Sequence, residues 1–216
     1  MYEAKSKEIV LRRVREALAK SAPFLPPTPD FTSPLHASPS EDMSVEFAQK
    51  FIANAGLFFY CESEEDFFDQ LFVFKQEQNI QHLFVWESNL QHILYQAGIE
   101  FIANDDTFVQ DAEAGLTTCE ALITRTGSLL VSSANAGGRR LGIYPATHIV
   151  VAKASQLVPD IKDGLQIVRD KYKENFPSMV SLVSGPSRTA DIEKTLVMGA
   201  HGPKQLALFL IDDLPH

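Results

Sequence analysis

The sequence predicts an α/β fold: a layered, mostly parallel sheet flanked by helices, with a helical appendage at the N-terminus. From residue 42 onward, short apolar runs alternate with amphipathic stretches of about ten residues or more, the rhythm of βαβ units. The run Gln205 to Ile211 is apolar on both sides of a strand, as a strand covered on both faces requires. Six prolines between residues 21 and 41 separate a first helical stretch from the rest.

Taken in order, residues 1–20 form the N-terminal helix. Ile9, Val10, Val14, Ala17 and Leu18 recur at helical spacing, with charges on the other face. Residues 21–41 form a linker, because proline lacks the N–H that helix and central strand need. Residues 42–216 form the α/β domain. Asp42 to Asn54 reads as a helix capped by Asp42, and Leu57 to Tyr60 as a strand. Ser63 opens a helix reaching Gln78, and His82 to Trp86 is a strand. Ser88 opens a further helix, with Gln91 completing a capping box. Glu100 to Ile102 makes a short strand. Ala114 to Thr126 and Ser128 to Ser132 read as strand–turn–strand, with Gly127 in the turn. Ile149 to Ala152 is a strand, Pro159 to Tyr172 an amphipathic helix, and Met179 to Val183 a strand that runs into a Ser-Gly-Pro-Ser corner.

Composition narrows the function classes. Apolar residues make up 45% of the 216, an ordinary globular share that supports a full core. The net charge of −9 argues against a nucleic-acid surface, which needs basic patches, but leaves room for small anions. No run approaches the roughly 20 apolar residues of a membrane span, and the first twenty residues lack a signal-peptide core, so a cytoplasmic location is expected. The two cysteines, Cys61 and Cys119, belong to no C-x-x-C pair. A cysteine-ligated iron–sulfur cluster therefore cannot be built within this chain, and a disulfide does not suit a reducing compartment. No histidine–carboxylate spacing makes a metal site. The nucleophile elbow and the dinucleotide fingerprint are both absent.

Three loops that follow strands attract attention: Thr124 to Ser128, Gly137 to Arg140, and Ser184 to Glu193 with His201 nearby. Ligands in open α/β sheets sit beyond the carboxyl ends of strands. The third loop reads as strand, tight turn, helix start. Free N–H groups, the Ser184, Ser187 and Thr189 hydroxyls, Gly185 and the Arg188 guanidinium would there suit an anion. The plain alternative is a βα turn with Thr189 as N-cap. Thr126, Gly127 and Ser128, with Arg139, are expected to reach the same sheet edge. Glu120 lies in an apolar stretch and needs a partner, so it is either a structural ion pair or a functional acid. His201 either caps a turn or titrates near neutral pH.

These motifs carry a family resemblance. Thr126-Gly127-Ser128, Tyr144-Pro145 with His148 to Val151, Ser184 to Glu193, and Gly199-Ala200-His201-Gly202-Pro203 resemble the LUD-domain family, specifically its single-domain C-type lactate-utilisation members. The resemblance covers roughly residues 42 to 212. It implies a fold similar to the NagB/RpiA/CoA-transferase group. It further implies a part in oxidising L-lactate to pyruvate, beside partner subunits that carry iron–sulfur clusters while this chain carries no cofactor. Arg125 stands where the family often has an acidic residue, and Ser128 where it often has threonine. The first departure reverses a charge beside the expected site.

Two expectations of different class follow. One is an accessory subunit of a lactate-oxidising complex that binds a small anionic ligand through the Ser184 to Thr189 loop, a homo-oligomer being compatible with it. The other is an enzyme acting on a phosphorylated or acyl-CoA-like substrate. In that case Glu120 is the candidate acid–base or acyl-accepting carboxylate, with His201 a further candidate. The second rests on fold analogy.

Overall fold

A computed structural model describes residues 3–19, 42–104, 106–135, 137, 139–189, 197–199 and 201–214. The chain divides into two units, Met1–Ala37 and Ser38–His216. In the first unit α1 (Glu3–Ala19) is a single helix whose Ile9, Val10, Leu11, Val14 and Leu18 are exposed. The expected linker, residues 21–41, lies outside the described residues.

The second unit opens with α2 (Met43–Ala53), capped by the Asp42 carboxylate, which accepts from the Ser44 and Val45 N–H groups. Next come β1 (Leu57–Cys61), α3 (Glu64–Glu77), β2 (Leu83–Val85), α4 (Ser88–Gln96), the short α5 (Phe108–Asp111) and β3 (Ala114–Thr117). Then follow β4 (Ala121–Ile123), β5 (Ser128–Ser132), β6 (Thr147–Lys153), β7 (Leu157–Val158), α6 (Ile161–Tyr172), β8 (Val180–Val183), β9 (Arg188–Thr189), β10 (Val197–Met198) and β11 (Gln205–Ile211).

Five strands form a parallel sheet in the order β1-β11-β6-β3-β2. A second sheet, β7-β4-β5-β8, is mixed, with β4–β5 and β5–β8 antiparallel. The alternation in β11 separates two cores. Ala207, Phe209 and Ile211 join Ile149, Val151 and the apolar faces of α3 and α4. Leu206, Leu208 and Leu210 join Val150, Ala152, the α2 phenylalanines Phe47 and Phe51, and Leu122, Leu129 and Val131 of the second sheet. The far face of that sheet packs on Val168 of α6. The unit is therefore layered as helices, parallel sheet, mixed sheet, helix. Each fully buried Phe or Leu side chain contributes about 1.5–3 kcal/mol by leaving water.

Several local expectations are corrected. Ala114 to Thr126 is not one strand: β3 belongs to the parallel sheet and β4 to the mixed one, and residues 118–120 carry the chain between them. The position before α4 is Glu87 rather than Ser88, with no side-chain hydrogen bond to the helix end, and Gln91 turns back to the Val85 carbonyl instead of closing a capping box. The short strand at residues 100–102 reduces to one bridge between Ile102 and Phe84. Thr189 lies in a strand. It pairs with Val197 in an antiparallel arm, which suits two β-branched residues. The remainder of the expected helix start, residues 190–193, lies outside the described residues.

Candidate functional site

The sequence-predicted residues fall into two groups at opposite ends of the mixed sheet. Register explains why. Leu129 pairs with Val183 and Ser132 with Val180, so the turn before β5 meets the end of β8, while the segment after β5 meets its start.

The first group gathers on Asn54, the residue that ends α2. The Asn54 side-chain amide donates to the Thr126 carbonyl at 2.9 Å. Arg188 Nη2 donates to the Asn54 carbonyl at 2.6 Å, placing a cation at the negative pole of the helix. Ser128 Oγ lies 2.6 Å from Ser184 Oγ. Gly185, at φ +92°, lies against the Asn54 carbonyl. The Ser187 N–H donates to the Pro203 carbonyl, and the Gly199 N–H to the Ser187 carbonyl, which brings the turn holding the exposed His201 alongside. Asn54 precedes β1 and Pro203 precedes β11, so this junction sits at the amino ends of the parallel strands. Sequence reasoning expected it at their carboxyl ends. Gly185, Ser184 and Arg188 do follow a strand, but β8 belongs to the other sheet.

Arg139 does not join them. Its Nη2 donates to Ser178 Oγ at 2.7 Å, before β8 begins. Arg140 lies over the Trp86 and Phe108 rings, 5.1 and 4.7 Å from their centroids. Gly138 of that loop lies outside the described residues. Arg125, the charge-reversed departure, forms a two-point pair with Asp160, the cap of α6, at 3.0 Å for each contact. Its charge is thus committed to holding α6.

The second group surrounds the carboxyl ends of β2 and β3. Glu120 has a fully buried carboxylate: Oε1 accepts from Ser132 Oγ at 2.5 Å and Tyr172 OH at 2.8 Å, and Oε2 lies 2.8 Å from Lys171 Nζ. Burial pushes its pKa up, but the Lys171, Ser132 and Tyr172 hydrogen bonds outweigh that and hold it below the ordinary carboxylate value. Of the two roles open to Glu120, this geometry is that of a structural ion pair. Glu87 accepts from the Thr118 N–H at 2.9 Å and the Thr118 hydroxyl at 2.6 Å, and Asn135 Nδ2 donates to that hydroxyl at 3.0 Å. His148 Nε2 lies 2.9 Å from Thr117 Oγ1. Burial holds His148 down at about 4, so the ring is neutral at physiological pH.

Sequence reasoning assigned no role to His148, Thr117, Thr118, Glu87, Asn135, Lys171 or Tyr172. One signal was present: two adjacent threonines close the apolar run of β3, at the end of a strand where ligands bind. Among the described residues no group of three or more His, Cys, Asp or Glu is placed to hold a metal ion, and no helix is long and apolar enough to cross a membrane.

The LUD domain family model matches residues 45–211. Lactate utilization protein C 1 of Bacillus mycoides is 32% identical over 111 residues, 50% of this chain and 47% of that protein. Lactate utilization protein C of Macrococcus caseolyticus is 33% identical over 104 residues, 47% of this chain and 45% of that one. The Bacillus subtilis protein of the same name is 32% identical over 106 residues, 48% and 44% of the two chains. The aligned stretch thus spans about half the length of these relatives or less. A DUF162 family protein from Deinococcus radiodurans shares the fold, with a TM-score of 0.57 at 18% identity over 78% of this chain and 96% of that one.

Proposed function

The chain belongs to the LUD-domain family, and from that premise we propose that it serves L-lactate utilisation as an accessory protein that binds rather than transfers electrons. The observation that carries this reading is the state of its thiols. An iron–sulfur cluster takes several cysteine thiolates. These 216 residues offer two cysteines, Cys61 and Cys119, free of each other and both buried. Burial pushes the Cys61 thiol up to about 12 and raises Cys119 as well, so both stay protonated. In this proposal the oxidation of L-lactate to pyruvate runs with iron–sulfur partner subunits. The small anionic ligand is met at the exposed Arg188, whose guanidinium has five N–H donors, one of them given to Asn54. The names of the relatives support the lactate assignment.

The second reading, an enzyme acting on a phosphorylated or acyl-CoA-like substrate, needs Glu120 as an available carboxylate. Three donors already bind it within the protein, which favours the accessory reading.

A deletion strain complemented by the intact gene tests the proposal. Growth on L-lactate is expected to fail without the chain, and the tagged chain is expected to capture iron–sulfur partners. Normal growth of the deletion strain together with failed capture would sink it.

A further inference from the structure

His148 is 1% exposed, and its Nδ1 has no hydrogen-bond partner in the protein. A buried polar nitrogen left without a partner is costly, so such an atom points to something that completes it. Beside it lies a narrow cavity of about 10 Å³ lined by Thr117, Thr118, Val131, Ser132, Asn135, Gly142 and His148. That space admits one oxygen-sized group.

The hydrogen-bond polarity of the lining says which group fits. Thr118 gives its one hydroxyl proton to Glu87, and Ser132 gives its own to Glu120. Each then accepts one hydrogen bond, Thr118 from Asn135 and Ser132 from the Ala134 N–H. What these two hydroxyls have left to offer is lone pairs, while Asn135, which also lines the cavity, gives Thr118 only one of its two amide N–H groups, so the occupant that suits both brings a proton and a lone pair. A ketone oxygen can accept from Asn135 but sets its lone pairs against those of Thr118 and Ser132. A hydroxyl both donates and accepts, and it satisfies Nδ1 in either tautomer of the ring. Neither carboxylate behind the wall lines the cavity: Glu120 is paired with Lys171, and both oxygens of Glu87 accept from Thr118.

We propose that the His148 cavity is a binding site for the hydroxyl group of a short-chain alcohol or 2-hydroxy acid, the group that turns to a carbonyl on oxidation. The hydroxyl enters beside Nδ1 and the carbon skeleton stays at the mouth. The 2-hydroxy-acid half of this statement rests on the lactate reading, and the alcohol half does not.

The test uses the full chain labelled with nitrogen-15 at histidine, with the His148 ring signals assigned by their loss in His148→Gln. Four probes are titrated: 2-propanol, acetone, L-lactate and pyruvate, which form two pairs differing only in hydroxyl against carbonyl. At least one alcohol of a pair is expected to move the His148 nitrogens, and its ketone is not. Gly142→Ala is expected to abolish the shift, because the added methyl would stand 3.2 Å from His148 Cε1 and 3.6 Å from Nδ1. A shift with 2-propanol but none with L-lactate upholds the site and removes lactate as its ligand. The proposal is overturned if neither alcohol moves the ring, which leaves water as the only occupant. Equal response to the ketones, the same shift with ammonium chloride, or a shift that survives in Gly142→Ala would overturn it too.

Discussion

Lys171 Nζ stands 2.8 Å from Glu120 Oε2, so α6 is fastened to the mixed sheet through a carboxylate that has no solvent exposure at all. Removing the charge leaves Ser132, Tyr172 and Lys171 pointing at a weaker acceptor. Glu120→Gln is expected to cost about 1.5–3 kcal/mol, the range for hydrogen bonds to a charged group. Its acid limb should change as well. The folded pKa lies below the ordinary value of 4.5, so the unfolded chain takes up the proton first as pH falls. The contribution is complete above 4.5 and disappears as pH drops through the lower folded value. Urea unfolding from about pH 7 to about pH 3 should show this loss in the wild type and not in Glu120→Gln.

Gly185→Ala tests the junction at the end of α2. Gly185 has φ +92°, a backbone conformation side chains rarely adopt, and a methyl there would overlap the Asn54 carbonyl oxygen. Strain and displacement together should cost more than about 2 kcal/mol. An unchanged urea midpoint would mean that the loop is not pressed against α2.

Arg188→Ala separates two roles of one guanidinium. Loss of the hydrogen bond to the Asn54 carbonyl should cost about 1 kcal/mol of stability. The proposed anion site adds a second effect, a loss of about tenfold or more in affinity for phosphate or L-lactate by calorimetry. A stability loss with unchanged affinity would confine Arg188 to capping α2.

The parts of the molecule that were legible in the sequence are those set by local pattern. Asp42 and Ser63 cap helices as their side-chain chemistry predicts, and the double-sided apolar run of β11 does lie between two strands with both faces covered. What local pattern cannot carry is which strands share a sheet. Thr117 and Ala121 are four residues apart yet belong to different sheets. That break decides that Glu120 faces Lys171 and that the Thr126 turn lies far along the mixed sheet from Arg139. The same non-local pairing, β8 against β5, put the Ser184 loop at the amino end of the parallel strands. His148 carries part of the family resemblance, but its role was not legible, because a lone histidine in an apolar strand reads as core until its neighbours are known.

Those neighbours make His148 a pH-dependent element of the fold. Burial holds its pKa at about 4, against 6.5 in an ordinary setting. Between those values the unfolded chain binds a proton that the folded chain refuses, so stability rises with pH across this window and is lost as pH falls through it. At about 1.4 kcal/mol per pKa unit, the difference is worth about 3 kcal/mol once pH is below 4. Glutamine in its place cannot titrate. The stability gap between wild type and His148→Gln is therefore expected to favour the wild type near neutrality and to shrink steadily from pH 6.5 downward, as read by urea midpoints at constant ionic strength. The window starts about two units above that of Glu120, so the two losses are separable in a single titration series. A gap that stays constant across the range would show that the folded chain protonates the ring as readily as the unfolded one, and the burial assigned to His148 would then be wrong.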